Sequence, residues 1–144
     1  MSNGVLGAMG IGVSDLERSV DFYTRVMGME TLTTMTLPYM DEVLLGYSRK
    51  RGPALVLMHY TDGSDPSYAN LPVKVVVYVP DPPAVAAAIR ADGLEVTREP
   101  APVPELGGAV VGLAKDPDGY VVELLQRPER PDRPEQPRAD VAPA

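Results

Sequence analysis

Val13-Ser14-Asp15-Leu16-Glu17-Arg18-Ser19-Val20-Asp21-Phe22-Tyr23, followed at a short distance by Gly28, is the stretch that decides the fold. Ser14 and Glu17 form a Ser-x-x-Glu capping box, which opens a helix by pairing its first free backbone donors. Leu16, Val20, Tyr23 and Met27 then recur at spacings of four, three and four, giving one apolar face. Gly28 stands where a left-handed C-cap is wanted. Upstream, residues 5–13 alternate loosely and are rich in glycine, as in a strand that other backbone approaches closely. Downstream come three strand candidates, 29–37, 42–48 and 54–60, with Arg49 to Pro53 as the turn between the last two. The unit reads β-α-β-β-β.

The same order repeats. Residues 73–79 are a β-branched run, and Asp81 caps a helix with Pro82 and Pro83 in its first turn. Val85 and Ile89 form the inner face of that helix, and Gly93 follows it. Strand candidates at 94–98, 108–114 and 120–126 complete the second unit. Its last hairpin turns on Asp116-Pro117-Asp118-Gly119, where proline presets the turn and glycine relieves its exit. Glu99 to Glu105, with three prolines, reads as an extended loop over one end of the domain. The expected organisation is a first module at 1–60, a connecting loop at 61–72, a second module at 73–126 and a proline- and charge-rich tail at 127–144.

The two signatures, the Val13–Tyr23 stretch and Asp116-Pro117-Asp118-Gly119-Tyr120-Val121-Val122-Glu123-Leu124, resemble those of the glyoxalase and bleomycin-resistance (vicinal oxygen chelate) superfamily. The resemblance covers roughly residues 5–126. It implies an α+β fold in which two β-α-β-β-β modules form a cupped, mostly antiparallel sheet. It also implies a homodimer in which facing modules of two chains complete each cup. Members of such a superfold perform isomerisation, ring cleavage, thiol transfer or plain drug binding, so the fold leaves the activity open.

The chain's 144 residues carry a formal net charge of −7, which argues against nucleic acid and anionic membrane as partners. Cysteine is absent and His59 is the single histidine, so disulfides and thiolate metal sites are excluded. No stretch is apolar enough for a membrane span and no signal segment opens the chain, so a cytoplasmic setting is expected.

In glyoxalase-like members four side chains in the cup bind a divalent ion. The resemblance carries those positions onto Ala8, Leu57, Lys74 and Glu123, of which only Glu123 has a metal-binding group. The expectation is therefore a cup with no metal and no cofactor, in which the Lys74 ammonium answers Glu123. Strand periodicity puts Lys74, Val76 and Tyr78 on one face, and Val121, Glu123 and Leu125 on another shared face. The pair reads either as a catalytic acid and base or as a structural ion pair in a dead site. His59, two residues beyond Leu57, is expected to face the cup and to suit proton transfer, unless it is merely exposed at a strand end. Tyr78, Tyr47 and Tyr39, with Leu57, Ala8 and Met40, are the candidate substrate-binding residues, ordinary packing being the competing explanation. Tyr60 is expected to point away from the cup.

The leading functional expectation is a metal-independent enzyme, with Lys74, Glu123 and His59 moving protons on a bulky aromatic or polyketide-like carbonyl compound. A metal-free drug-sequestering protein and a divalent-metal glyoxalase-like lyase are the alternatives. The expected partners are a small aromatic or carbonyl ligand and a second copy of the chain.

Overall fold

The computed structural model describes residues 4, 6–49, 52–67 and 72–128. Its first unit contains β1 (Ala8–Gly12), α1 (Leu16–Asp21) continued by a π-helical turn (Phe22–Val26), β2 (Glu30–Thr36), β3 (Met40–Gly46) and β4 (Ala54–Tyr60). The second contains β5 (Lys74–Tyr78), α2 (Pro82–Ala91), β6 (Val96–Val103), a 3-10 turn (Pro104–Leu106), β7 (Ala109–Lys115) and β8 (Val121–Gln126). Each unit forms a four-stranded sheet, ordered β1-β4-β3-β2 and β5-β8-β7-β6. The outer pairs β1·β4 and β5·β8 are parallel and the rest antiparallel, which is the topology expected of two β-α-β-β-β modules.

One apolar core serves both units. Ile11, Val43, Leu45, Leu55 and Leu57 of the first sheet share it with Val77, Val122 and Leu124 of the second, and Phe22, Tyr23 and Ile89 come from the helices. The helix-bearing faces of both sheets thus look inward, and the opposite faces look out. The π turn widens the helix so that Phe22 and Tyr23, adjacent in sequence, are both buried in an edge-to-face contact.

A buried clasp joins the units. The Tyr23 hydroxyl donates to Asp116 Oδ2 at 2.8 Å, while the Asp118 and Tyr120 amides donate to Asp116 Oδ1 at 2.9 and 2.8 Å. Tyr120 Oη donates to the Gly12 carbonyl at 2.6 Å. Burial outweighs these donors and pushes the Asp116 carboxyl above its ordinary range; the same burial, with the Asp116 charge, raises the Tyr23 phenol. The two signature stretches of the sequence therefore meet in space.

Three local expectations change. Asp15, not Ser14, caps α1, accepting from the Arg18 amide at 3.0 Å; Ser14 instead turns to Asp118, across 104 positions of chain. Residues 99–105 are not an extended loop: β6 runs through Val103 and the 3-10 turn closes it. Prolines are tolerated there because β6 is an edge strand, where a missing amide breaks no ladder on the open side. The tail expected from 127 onward lies outside the described residues beyond Pro128. Among the described residues no helix is long and apolar enough to cross a membrane.

Candidate functional site

Cross-strand partners point the same way, so the registers sort every residue by face. On the first sheet, one row of the outward face runs Gly12–Met58–Glu42–Met35 and the next runs Gly10–Val56–Leu44–Thr33. Ala8 with Ala54, and Met40 with Tyr60, belong to the same face. The wall is smooth near β1, where Met58 Sδ lies 3.1 Å from where a Cβ on Gly10 would stand.

On the second sheet, Lys74 aligns with Val121 and Lys115, and Val76 with Glu123, Leu113 and Arg98. Tyr78 aligns with Leu125, Val111 and Ala101. Lys74 Nζ sits 2.5 Å from Glu123 Oε2, with the lysine side chain 54% exposed and the glutamate 12%. The pair expected from the sequence is thus formed. Arg98 and Lys115 stand on the same face and make no ion pair among the described residues. Arg127 lies over the Tyr78 ring, 4.2 Å from its centroid. Lys74, Lys115 and Arg98 therefore share one face with a single paired carboxylate, on a chain whose net charge is −7.

Several sequence expectations do not survive. Leu57 is wholly buried in the core and pairs with Ile11, on the face opposite Ala8; Val56 occupies the outward position instead. His59 shares the Leu57 face, lies 3.0 Å through Nδ1 from the Val13 carbonyl, and does not enter the cup. Tyr60, expected to point away, stands on the cup face with Met40. A strand apolar on both sides, as Ala54–Tyr60 is, carries no alternation from which its register could be read. Tyr39 is exposed on the turn before β3, off the strand. The Tyr47 hydroxyl donates to the Met27 carbonyl at 2.8 Å, and burial raises its pKa. Tyr47 lines a cavity of about 500 Å³ between the β1 and β5 edges, with Met9, Leu55 and Val75, which reaches Lys74 and Tyr78 of the site face. Arg98, Lys115 and Glu42 were missed; Lys115 and Glu42 are each two residues from a cup-facing neighbour, so alternation alone could have found them.

The places implied for a divalent ion do not fit one. Ala8 and either Leu57 or Val56 cannot ligate, Lys74 is cationic, and only Glu123 offers a ligand atom. Among the described residues no group of three or more His, Cys, Asp or Glu is placed to hold a metal.

The family model described as the glyoxalase/bleomycin resistance protein/dioxygenase superfamily matches residues 5–124. The lactoylglutathione lyase of Escherichia coli O157:H7 is 37% identical over 117 residues, 79% of this chain and 86% of that protein. A probable lactoylglutathione lyase of Vibrio cholerae is 38% identical, covering 79% of this chain and 84% of the relative. The chain spans only about two-fifths of the plant relatives, such as lactoylglutathione lyase GLX1 of Arabidopsis thaliana, to which it is 36% identical across 80% of its own length and 41% of theirs. Among solved structures, glyoxalase I of Zea mays superposes with a TM-score of 0.74 at 29% identity, covering 88% of this chain and 46% of that one. An antibiotic-binding protein from Streptomyces, TnmS3, shares the fold at a TM-score of 0.69 and 22% identity, covering 89% of this chain and 99% of that one.

These relatives overturn the leading functional expectation. Proteins named lactoylglutathione lyase, similar over most of the chain, point away from metal-independent chemistry on an aromatic or polyketide-like compound and toward the divalent-metal lyase alternative. The matched family model and the clasped pair of signature stretches agree: this chain belongs to the glyoxalase/bleomycin resistance protein/dioxygenase superfamily.

Proposed function

We propose that the chain is a glyoxalase-type lyase acting on the adduct of a small oxo-aldehyde with a carboxylate-bearing thiol of the glutathione class. The observation that carries this reading is that Lys74, Lys115 and Arg98 share one outward face with Glu123, to which Lys74 is paired. Such a face attracts an anionic substrate despite the acidic chain, because local potential rather than net charge governs capture. The reaction converts a hemithioacetal into a thioester by moving the proton of the sulfur-bearing carbon to the neighbouring carbon and the hydroxyl proton from the first oxygen to the second. In this reading Glu123 is the base that takes up the carbon-bound proton, and Lys74 belongs to the anion-binding wall rather than to the proton transfer. Arg98 and Lys115 anchor the carboxylates of the thiol. His59 takes no part. The similar lyases favour the divalent-metal alternative; among the described residues only Glu123 offers a ligand atom at the implied places, and no step is routed through an ion.

In one chain the Ala8 face and the Lys74–Glu123 face look outward from a common core, so each is half a cup. We propose that a second copy supplies the missing half, the Ala8–Val56 wall of one chain facing the Lys74–Glu123 wall of the other.

The test is turnover of the hemithioacetal of methylglyoxal and glutathione, followed by thioester absorbance, with and without added divalent ions. The reading expects thioester formation that falls at least tenfold in Lys74→Met, while the melting temperature changes little. No thioester under any ion condition would end it. The poor donor set specifically favours a second reading, sequestration of the same anionic class; recovery of bound, unaltered ligand would select it.

A further inference from the structure

Glu42 is a carboxylate in the wrong surroundings for a structural residue. Its row across the first sheet contains only Gly12, Met58 and Met35, and the next row on that face contains Gly10, Val56, Leu44 and Thr33. The side chain is half-buried and has no hydrogen bond or ion pair among the described residues. Its strand neighbour Asp41 points the other way, alongside His59. A partly desolvated carboxylate on an apolar wall costs stability unless something answers its charge. The cations of the site all belong to the second sheet, where Glu123 already pairs with Lys74. The first wall is therefore negative and greasy, and the second positive.

We infer that Glu42 is a specificity-determining residue that receives an ammonium group of the ligand, so that the cup selects zwitterions over plain anions. This rests on the proposed thiol-adduct reading, which supplies carboxylates for the second wall, and adds the charge that the first wall requires. A ligand with only carboxylates would meet Glu42 as a like charge. One carrying a primary amine gains a charge-assisted hydrogen bond in a half-dry site.

The experiment is calorimetric titration of the full chain with S-methylglutathione and with its N-acetyl derivative, in wild type, Glu42→Gln and Glu42→Leu. The free amine is expected to bind wild type about tenfold more tightly, the scale of one charge-assisted hydrogen bond. Both variants should bind the two probes alike and keep or improve affinity for the acetylated one. A preference that persists in Glu42→Gln, its absence in wild type, or binding of neither probe would overturn the inference. Amine preference without turnover would leave it standing while sinking the lyase reading; turnover without amine preference would do the reverse.

Discussion

Replacing Tyr23 by Phe isolates one hydrogen bond of the clasp. The Tyr23 hydroxyl is the donor to Asp116 Oδ2 at 2.8 Å, and Asp116 is 2% exposed, so no water can take its place without opening the core. Phenylalanine keeps the ring, and with it the edge-to-face contact to Phe22 at 4.9 Å, so no cavity forms. What is lost is a hydrogen bond to a buried acid, worth about 1.5–3 kcal/mol. For a domain of this size that is a fall in melting temperature of roughly 6 °C. Urea titration should show the midpoint moving down with an unchanged m-value, since the surface exposed on unfolding is the same. A loss under about 0.5 kcal/mol would show that Asp116 is satisfied without Tyr23 and that the clasp does not hold the modules together.

The pH profile gives a second test. The Asp116 carboxyl titrates above its unfolded value of 3.8, so its protonated form favours the fold and that contribution is lost as pH rises through the raised pKa. Asp116→Asn should therefore be less destabilised relative to wild type at neutral pH than at pH 4, read by urea midpoints at both; a gap that widens with pH would refute this. Gly112 admits no side chain: a Cβ there would lie 2.7 Å from Pro100 Cγ and 3.3 Å from Pro100 Cα, so Gly112→Ala should cost about 1–3 kcal/mol by thermal melting. Gly119, at φ 87° in the Asp-Pro-Asp-Gly turn, should lose about 1 kcal/mol on replacement by alanine, and a neutral result would mean that the turn relaxes.

The fold was legible because its punctuation is local. Asp81 capping α2, glycines after both helices and the Asp116–Gly119 turn each specify geometry within a few residues. What was not legible depends on partners far away in sequence. Ser14 and Asp15 are equally good caps until Asp118 claims Ser14. The resemblance placed Leu57 in the cup, but a one-residue shift of register inverts every side chain, and only its pairing with Ile11 decides the face. The Lys74–Glu123 pair was readable because the resemblance carried both positions over and they lie on the neighbouring strands β5 and β8. Arg98 was not, since bulges on either side of it, between Val96 and Ala101, break the alternation.

The central claim is that Lys74, Arg98 and Lys115 form the anion-reading wall of the cup. Its direct measurement is the affinity of S-methylglutathione against its carboxyl diester, in wild type and in the combined Lys74→Met, Arg98→Met, Lys115→Met variant. The account predicts a preference of about tenfold or more for the free carboxylates that collapses in the variant. Equal affinity for acid and ester in wild type, or a preference untouched by removing the three cations, would contradict it.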